Sequence, residues 1–186
     1  MSLGVDRTRL VQDRIRLVPD WPIPGVQFQD LSGVLADPTA FAIVVDGLAA
    51  AAQERAGSRE PAIDHVVGIE ARGFPYAAAL AHHLSAGFIA ARKPGKLPGS
   101  VHAQAYELEY GTATLELHQD AVGPGTPVVI VDDVLATGGT ARAAVDLVRR
   151  CDARIVAVLF ILSIPGLGGA AAMDEAGVPW TVLLPG

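Results

Sequence analysis

Short apolar runs alternate with Ala-rich or amphipathic stretches along most of the chain. His65–Ile69, Gly87–Ala91, Val128–Val131 and Ile155–Leu162 each read as a short buried strand. Between them, Phe74–Leu84 reads as an Ala/Leu helix, and Thr140–Arg150 as a helix with Ala141, Ala144, Val145 and Val148 on one side. Asp37-Pro38 supplies an N-cap followed by proline at the first helical position, opening a helix that runs to about Arg55. Upstream, Val11, Ile15 and Val18 share one face of an amphipathic helix expected over residues 8–18, and Trp21-Pro22-Ile23-Pro24-Gly25 forces an extended or turning segment. Strands alternating with helices imply an α/β fold with a central parallel sheet covered on both faces. Residues 92–118 break the rhythm: Tyr106–Tyr110 and Thr114–His118, separated by Gly111-Thr112, read as an antiparallel hairpin or a long ordered loop. In an open α/β sheet ligands sit at the carboxyl ends of the strands, so the polar residues just after each strand are the candidates for chemistry.

Composition changes this picture mainly by exclusion. The chain has 186 residues, 51% of them hydrophobic and 18% charged, which suits one domain with a sizeable core and excludes intrinsic disorder. A mean hydropathy of +0.36 raises the question of a membrane span. The longest uncharged apolar run, Ile155 to Ile164, stops at Pro165-Gly166, well short of the about 20 residues a spanning helix needs. Asp6, Arg7, Arg9, Asp13 and Arg14 interrupt the N-terminal region, so no secretory leader is expected and a soluble, cytoplasmic protein is. Fourteen Lys and Arg against 20 Asp and Glu give a net charge of −6, a poor balance for non-specific nucleic-acid binding. Cys151 is the single cysteine, which excludes an intramolecular disulfide and a cysteine-based zinc site.

The strongest chemical signal is the run from Val128 to Thr140. An apolar strand reaches two adjacent carboxylates, Asp132 and Asp133, and then the small-residue loop Ala136-Thr137-Gly138-Gly139-Thr140 opens a helix. Backbone amides in such a loop, together with a helix N-terminus, suit an anion. Two carboxylates would repel a phosphate, so they make better acceptors for sugar hydroxyls with the phosphate held beside them. A capped strand–turn–helix explains part of this run, although a double Asp before a Thr-Gly-Gly-Thr cradle exceeds what capping requires. Arg92, Lys93 and Lys96 concentrate positive charge in an acidic chain. A solvated charge run and a site for a multiply charged anion both fit them. By pattern alone, Glu107 and Glu109 are the exposed side of a strand that turns Leu108 and Tyr110 inward.

The acidic pair and the Thr-Gly-Gly-Thr loop resemble the type I phosphoribosyltransferases. Four further segments narrow the resemblance to the adenine phosphoribosyltransferase family: Pro22-Ile23-Pro24-Gly25-Val26-Gln27-Phe28-Gln29-Asp30, Gly68-Ile69-Glu70-Ala71-Arg72-Gly73-Phe74, Arg92-Lys93-Pro94-Gly95-Lys96-Leu97-Pro98 and Tyr106-Glu107-Leu108-Glu109-Tyr110-Gly111. They follow the family's order and spacing, and the likeness covers roughly residues 10–165. It implies a fold with an N-terminal hood over the base (residues 1–36) and a flexible hairpin insertion (residues 92–118) within one domain of residues 1–186.

The implied reaction is magnesium-dependent transfer of ribose 5-phosphate from phosphoribosyl diphosphate to adenine, giving AMP and diphosphate, in a homodimer. The resemblance assigns the ribose hydroxyls to Asp132 and Asp133 and the 5-phosphate to Ala136, Thr137, Gly138, Gly139 and Thr140. Glu70, Ala71 and Arg72 form the diphosphate loop, where the family has a non-proline cis peptide, and Arg92, Lys93 and Lys96 meet the same anion. Arg92 is implied to reach the partner's site. Phe28 is implied to stack on adenine, with the backbone of Gln27 and Gln29 reading its edge. Glu109 and Tyr110 ride on a hood that excludes water, Glu109 as the group that takes or shares the base's proton; this overturns the reading from pattern alone. Magnesium is expected to ride on the diphosphate, with no protein ligand. The family commonly has a basic residue at the position of Gln29 and proline at that of Gly33, so the contact implied at Gln29 is through its backbone. Enzymes for another purine, or a nucleotide-sensing regulator on the same fold, are the rival readings.

Other signals lead nowhere at this stage. Gly166-Leu167-Gly168-Gly169-Ala170-Ala171 fits a dinucleotide fingerprint, but neither the acidic partner nor a strand to bear it is expected in the residues that follow. His82 and His83 read as partly exposed structural residues, and Cys151 as a packing residue.

Overall fold

The computed structural model describes residues 4–58, 62–108 and 111–184. The N-terminal part holds α1 (Val5–Gln12), β1 (Arg16–Pro19), β2 (Gln27–Asp30), α2 (Ser32–Ala36) and α3 (Pro38–Ala56). Then follow β3 (His65–Ile69), α4 (Gly73–His83), β4 (Gly87–Ala91), β5 (Val101–Leu108) and β6 (Gly111–His118). The chain continues through β7 (Pro127–Leu135), α5 (Gly139–Arg150), β8 (Arg154–Ser163), α6 (Gly169–Ala176) and β9 (Trp180–Leu184).

Five parallel strands form the central sheet in the order β4-β3-β7-β8-β9, which establishes the α/β fold expected from the sequence. Side chains alternate across the strands, so the inner strands feed two cores. Val66, Val129, Val131, Leu159 and Ile161 face one core, shared with Val44, Leu48 and Ala52 of α3 and Leu80 of α4. Val67, Ile69, Val128, Ile130, Val158 and Phe160 face the other, covered by Ala144, Val145 and Val148 of α5, Met173 of α6, and Leu115 and Leu117 of β6. This two-sided burial accounts for the high apolar content. Among the described residues, no helix is long and apolar enough to cross a membrane.

Several expected boundaries shift. The helix anticipated over residues 8–18 ends at Gln12; Arg16–Pro19 instead pairs antiparallel with Gln27–Asp30. Ladder hydrogen bonds and the Arg16–Asp30 ion pair at 2.5 Å hold Val18 in a ribbon, although its spacing also fits a helix. The strand expected over Val128–Val131 runs on to Leu135, because β8 continues to pair with Asp132, Val134 and Leu135. The tail adds α6 and β9, so a strand does follow the Gly168-Gly169 segment; it carries no acidic residue. β5 and β6 pair antiparallel, as the expected hairpin requires, and a bridge from Glu116 to Arg92 ties β6 to the end of β4. Asp37 caps α3 as expected, its Oδ1 accepting from the amides of Thr39 and Ala40.

From β3 the chain passes to β4 on one side, whereas β7 opens the run to β8 and β9 on the other. The order therefore reverses between β3 and β7, and a crevice opens beyond their carboxyl ends. Phe160 is the largest aromatic buried on the α5 side of the sheet. Phe160→Ala is expected to cost about 3–5 kcal/mol of unfolding free energy in urea titration; a loss below 1 kcal/mol would contradict the two-core description.

Candidate active site

The site grows from β7. Asp133 is 2% exposed; its Oδ2 lies 3.1 Å from Arg72 Nε, and its buried Oδ1 has no partner. Asp132 Oδ1 accepts from the amide of Asp133 at 2.9 Å. Burial, then the neighbouring Asp133 charge, holds the Asp132 carboxyl well above the usual carboxylate range. Burial also raises Asp133, against the opposing pull of Arg72. An unpaired buried acceptor costs about 1–3 kcal/mol, so this pair is built to receive donors. Sugar hydroxyls are such donors.

Beyond Leu135, Ala136-Thr137-Gly138 leads directly into α5. Gly138 caps the helix in the left-handed region (φ 86°), and a Cβ there would stand 2.7 Å from that of Ala172. A Cβ on Gly169 would fall 2.4 Å from the Ala136 carbonyl oxygen, so the start of α6 buttresses the loop from behind. On the other side a Gly139 Cβ would lie 2.9 Å from the carbonyl oxygen of Glu107 in β5. The loop and the α5 N-terminus, whose first amides have no partner within the helix, form a cradle that suits an anion.

Across the crevice, β3 leads into a cis Glu70–Ala71 peptide, as the resemblance implied, and then Arg72. Gly73 opens α4 so close to β7 that a Cβ would sit 2.6 Å from the Val131 carbonyl oxygen. That approach brings Arg72 onto Asp133. The half-exposed Arg72 guanidinium also lies 5.0 Å from the Phe28 ring centroid, while Trp21 meets Phe28 edge-on at 4.2 Å. Acid, cation and aromatic platform thus form one continuous contact. Successive side chains of β2 point to opposite sides of its ribbon. Gln29 lines a separate cavity of about 290 Å³ with Ile15, Leu17, Leu162 and Ser163, and Gln27 is exposed at the start of the strand.

Glu70 holds the basic segment. Its carboxylate accepts from the Lys93 amide at 2.8 Å and from Arg92 Nε at 3.2 Å. Burial pushes Glu70 upward, but the Lys93 amide and Arg92 outweigh it and hold the group below its ordinary value. Arg92 also donates to the Lys96 carbonyl at 3.2 Å, and the Lys93 and Lys96 side chains are exposed. The side chain of Glu70 therefore holds the Arg92 guanidinium and the Lys93 backbone. Glu109 and Tyr110 lie outside the described residues.

Asp132, Asp133, Arg72 and Phe28 are thus brought together, the Ala136–Thr140 cradle adjoins them, and Arg92 and Lys93 gather round Glu70. Reading the sequence missed Trp21, the Glu107 carbonyl and the supports at Gly169 and Ala172. The Gly168-Gly169 pair was a visible signal, and its use is close packing.

These features define a phosphoribosyltransferase: the Phosphoribosyl transferase domain family matches residues 35–174. The adenine phosphoribosyltransferase of Methylobacterium nodulans is 51% identical over 174 residues, covering 93% of each chain. That of Cutibacterium acnes is 48% identical, covering 92% of this chain and 93% of the relative. The adenine phosphoribosyltransferase of Saccharomyces cerevisiae, solved with adenine and D-2,5-dideoxy-2,5-imino-altritol 1,6-bisphosphate, superposes with a TM-score of 0.89. It is 32% identical over 96% of this chain and 99% of its own. The Rhodothermus marinus structure is 41% identical, with a TM-score of 0.86 over 98% of this chain and 99% of its own. The chain belongs to the adenine phosphoribosyltransferase family and is a pentosyltransferase.

A raised folded-state carboxyl pKa means that stability is full below the unfolded value and falls as pH rises through the folded one. Asp132→Asn removes that penalty. Its thermal midpoint at pH 7 is expected to rise by about 2–4 °C over the parent, the gain shrinking towards zero as pH approaches 4. A lower midpoint at pH 7, measured by differential scanning fluorimetry, would contradict the assignment.

Proposed function

We propose that this chain transfers ribose 5-phosphate from 5-phosphoribosyl 1-diphosphate to adenine, releasing AMP and diphosphate. The observation that carries this reading is the acid pair, with Asp133 buried and one of its carboxylate oxygens unpaired, beside the Arg72–Phe28 contact. Asp132 and Asp133 accept from the ribose hydroxyls, and the Ala136–Thr140 cradle holds the 5-phosphate at the start of α5. Arg72 is a planar, permanently charged donor suited to diphosphate oxygens. Arg92 and Lys93, gathered by Glu70, add charge on the same side, and Lys96 extends it.

Phe28 offers its face to the purine, and the backbone of Gln27 and Gln29 reads the base edge. With Gln29 lining a separate cavity, its backbone serves and its side chain does not. As the bond from the anomeric carbon to diphosphate breaks, its electron pair leaves with diphosphate. The imidazole nitrogen of adenine forms the new bond, and its proton passes to Glu109. Glu109 and Tyr110, carried at the end of the hairpin, close the site against water.

Magnesium fits this donor set as a passenger on the diphosphate. The oxygens of Asp132 and Asp133 would face cation-bound water and hydroxyls, and Mg2+ would neutralise charge on the leaving group. We place the enzyme in the cytoplasm as a homodimer, with Arg92 reaching the partner's site and residues 1–186 acting as one domain, its residues 1–36 forming the base-binding hood.

Pure protein with Mg2+ and phosphoribosyl diphosphate is expected to form AMP from adenine far faster than nucleotide from hypoxanthine or guanine, by chromatography of the products. Chelation should stop the reaction, and added Mg2+ should restore it. Preference for another purine, or no nucleotide at all, would overturn the reading. Glu109→Ala should lower kcat by about 10²-fold or more with much smaller changes in either KM; near-normal kcat would remove Glu109 from the mechanism.

A further inference from the structure

The hairpin that leads to Glu109 and Tyr110 is seated along α5 at two points. At the far end of the helix, Arg150 donates from Nη1 to the Ala103 carbonyl at 2.8 Å and from Nη2 to Gln104 Oε1 at 2.5 Å. Ala103 and Gln104 belong to β5, whose ladder partners lie only on the β6 side, so Arg150 satisfies a carbonyl on an otherwise open edge. At the near end, the Glu107 carbonyl oxygen rests on Gly139, where a Cβ would stand 2.9 Å from it and 3.6 Å from the Tyr106 ring. Glu107 is three residues beyond Gln104, about 10 Å along an extended strand. The second strand is fastened elsewhere: Glu116 pairs with Arg92 through both backbone bonds and accepts from the Gly95 amide at 3.0 Å.

We infer that Arg150, outside the substrate-binding residues, is a positioning residue that sets where β5, the strand preceding Glu109 and Tyr110 in the chain, stands relative to the 5-phosphate cradle. The inference rests on the proposed role of Glu109 and Tyr110. The helix whose first turn forms the cradle uses its last turn to fix β5, which ends one residue before Glu109 in the chain. Gly139 is the point where strand and cradle touch, so β5 is referenced to the bound phosphate through one rigid element. Arg150 contributes two directed bonds in a fixed fork, which a lysine reproduces only in part. Releasing them leaves the Glu116–Arg92 bridge, the Gly139 contact and the core packing of Leu115 and Leu117 as supports, and loosens β5 on α5. Ångström-scale misplacement of a catalytic group costs rate far more than ligand affinity.

The test measures AMP formation and phosphoribosyl diphosphate hydrolysis to ribose 5-phosphate and diphosphate together, in wild type, Arg150→Ala, Arg150→Lys, Gln104→Ala and Glu109→Ala. Arg150→Ala should lower kcat about tenfold with both KM values within about threefold, and raise the share of substrate lost to water. Arg150→Lys should recover part of both effects, and Gln104→Ala should show a smaller version of each. Unchanged kcat and hydrolysis in Arg150→Ala, or a loss confined to KM for phosphoribosyl diphosphate, would overturn the inference. Should Arg150→Ala fail to fold, wild-type behaviour of both Arg150→Lys and Gln104→Ala would overturn it equally. Full turnover in Glu109→Ala would instead sink the role of the hairpin end, and a wild type that makes no AMP would sink the function itself.

Discussion

Two carboxylates placed side by side at the buried end of a parallel strand repel one another and lose their hydration, and the rest of this site is arranged around that cost. Asp133 keeps one oxygen on Arg72 and leaves the other without a partner. Arg72 reaches it only because Gly73 lets α4 approach the β7 backbone, and the same guanidinium rests on Phe28 of the N-terminal ribbon. A single cation thereby links the acid pair to the aromatic platform. The net charge of −6 belongs to the chain as a whole; beside the acid pair stands Arg72, and Glu70 holds Arg92 nearby in the chain's fold.

Much of the fold was legible in the chain. The ends of β3 and β4 coincide with the apolar runs, which stop where polar residues return; β3 is largely buried, whereas β4 is a partly exposed edge strand. The Asp37-Pro38 start of α3 was equally plain, because capping is a local interaction. Long-range pairing was less visible. Val18 fits a helix by spacing, but β2 holds it in a ribbon, and β8 extends β7 past the acid pair. In the tail, Gly169 is needed for packing against Ala136, a contact that depends on the fold and leaves only an ambiguous glycine in the sequence.

The site was legible in its residue types and less so in their division of labour. Asp132, Asp133, Arg72 and Phe28 stood out, and they meet. Glu70 appeared among the anion-binding residues, yet its carboxylate turns to Arg92 and Lys93, an arrangement no local pattern announces. The supports behind the cradle came from small residues and backbone, Gly138 against Ala172 and Gly139 against Glu107, where the informative feature is a missing side chain. The hairpin belongs to this scheme because it packs on the helix that also forms the cradle.

The central claim is that the acid pair, whose carboxyls burial holds above their ordinary range, is completed by ribose hydroxyls and cation-bound water. Calorimetry of Mg2+-phosphoribosyl diphosphate binding near pH 6, in two buffers of different ionisation enthalpy, tests this directly once the ligand's own titration is subtracted. The account predicts net proton release from the protein, diminishing as pH rises, since binding favours the charged carboxylates. Proton uptake, or no pH-dependent exchange, would contradict it.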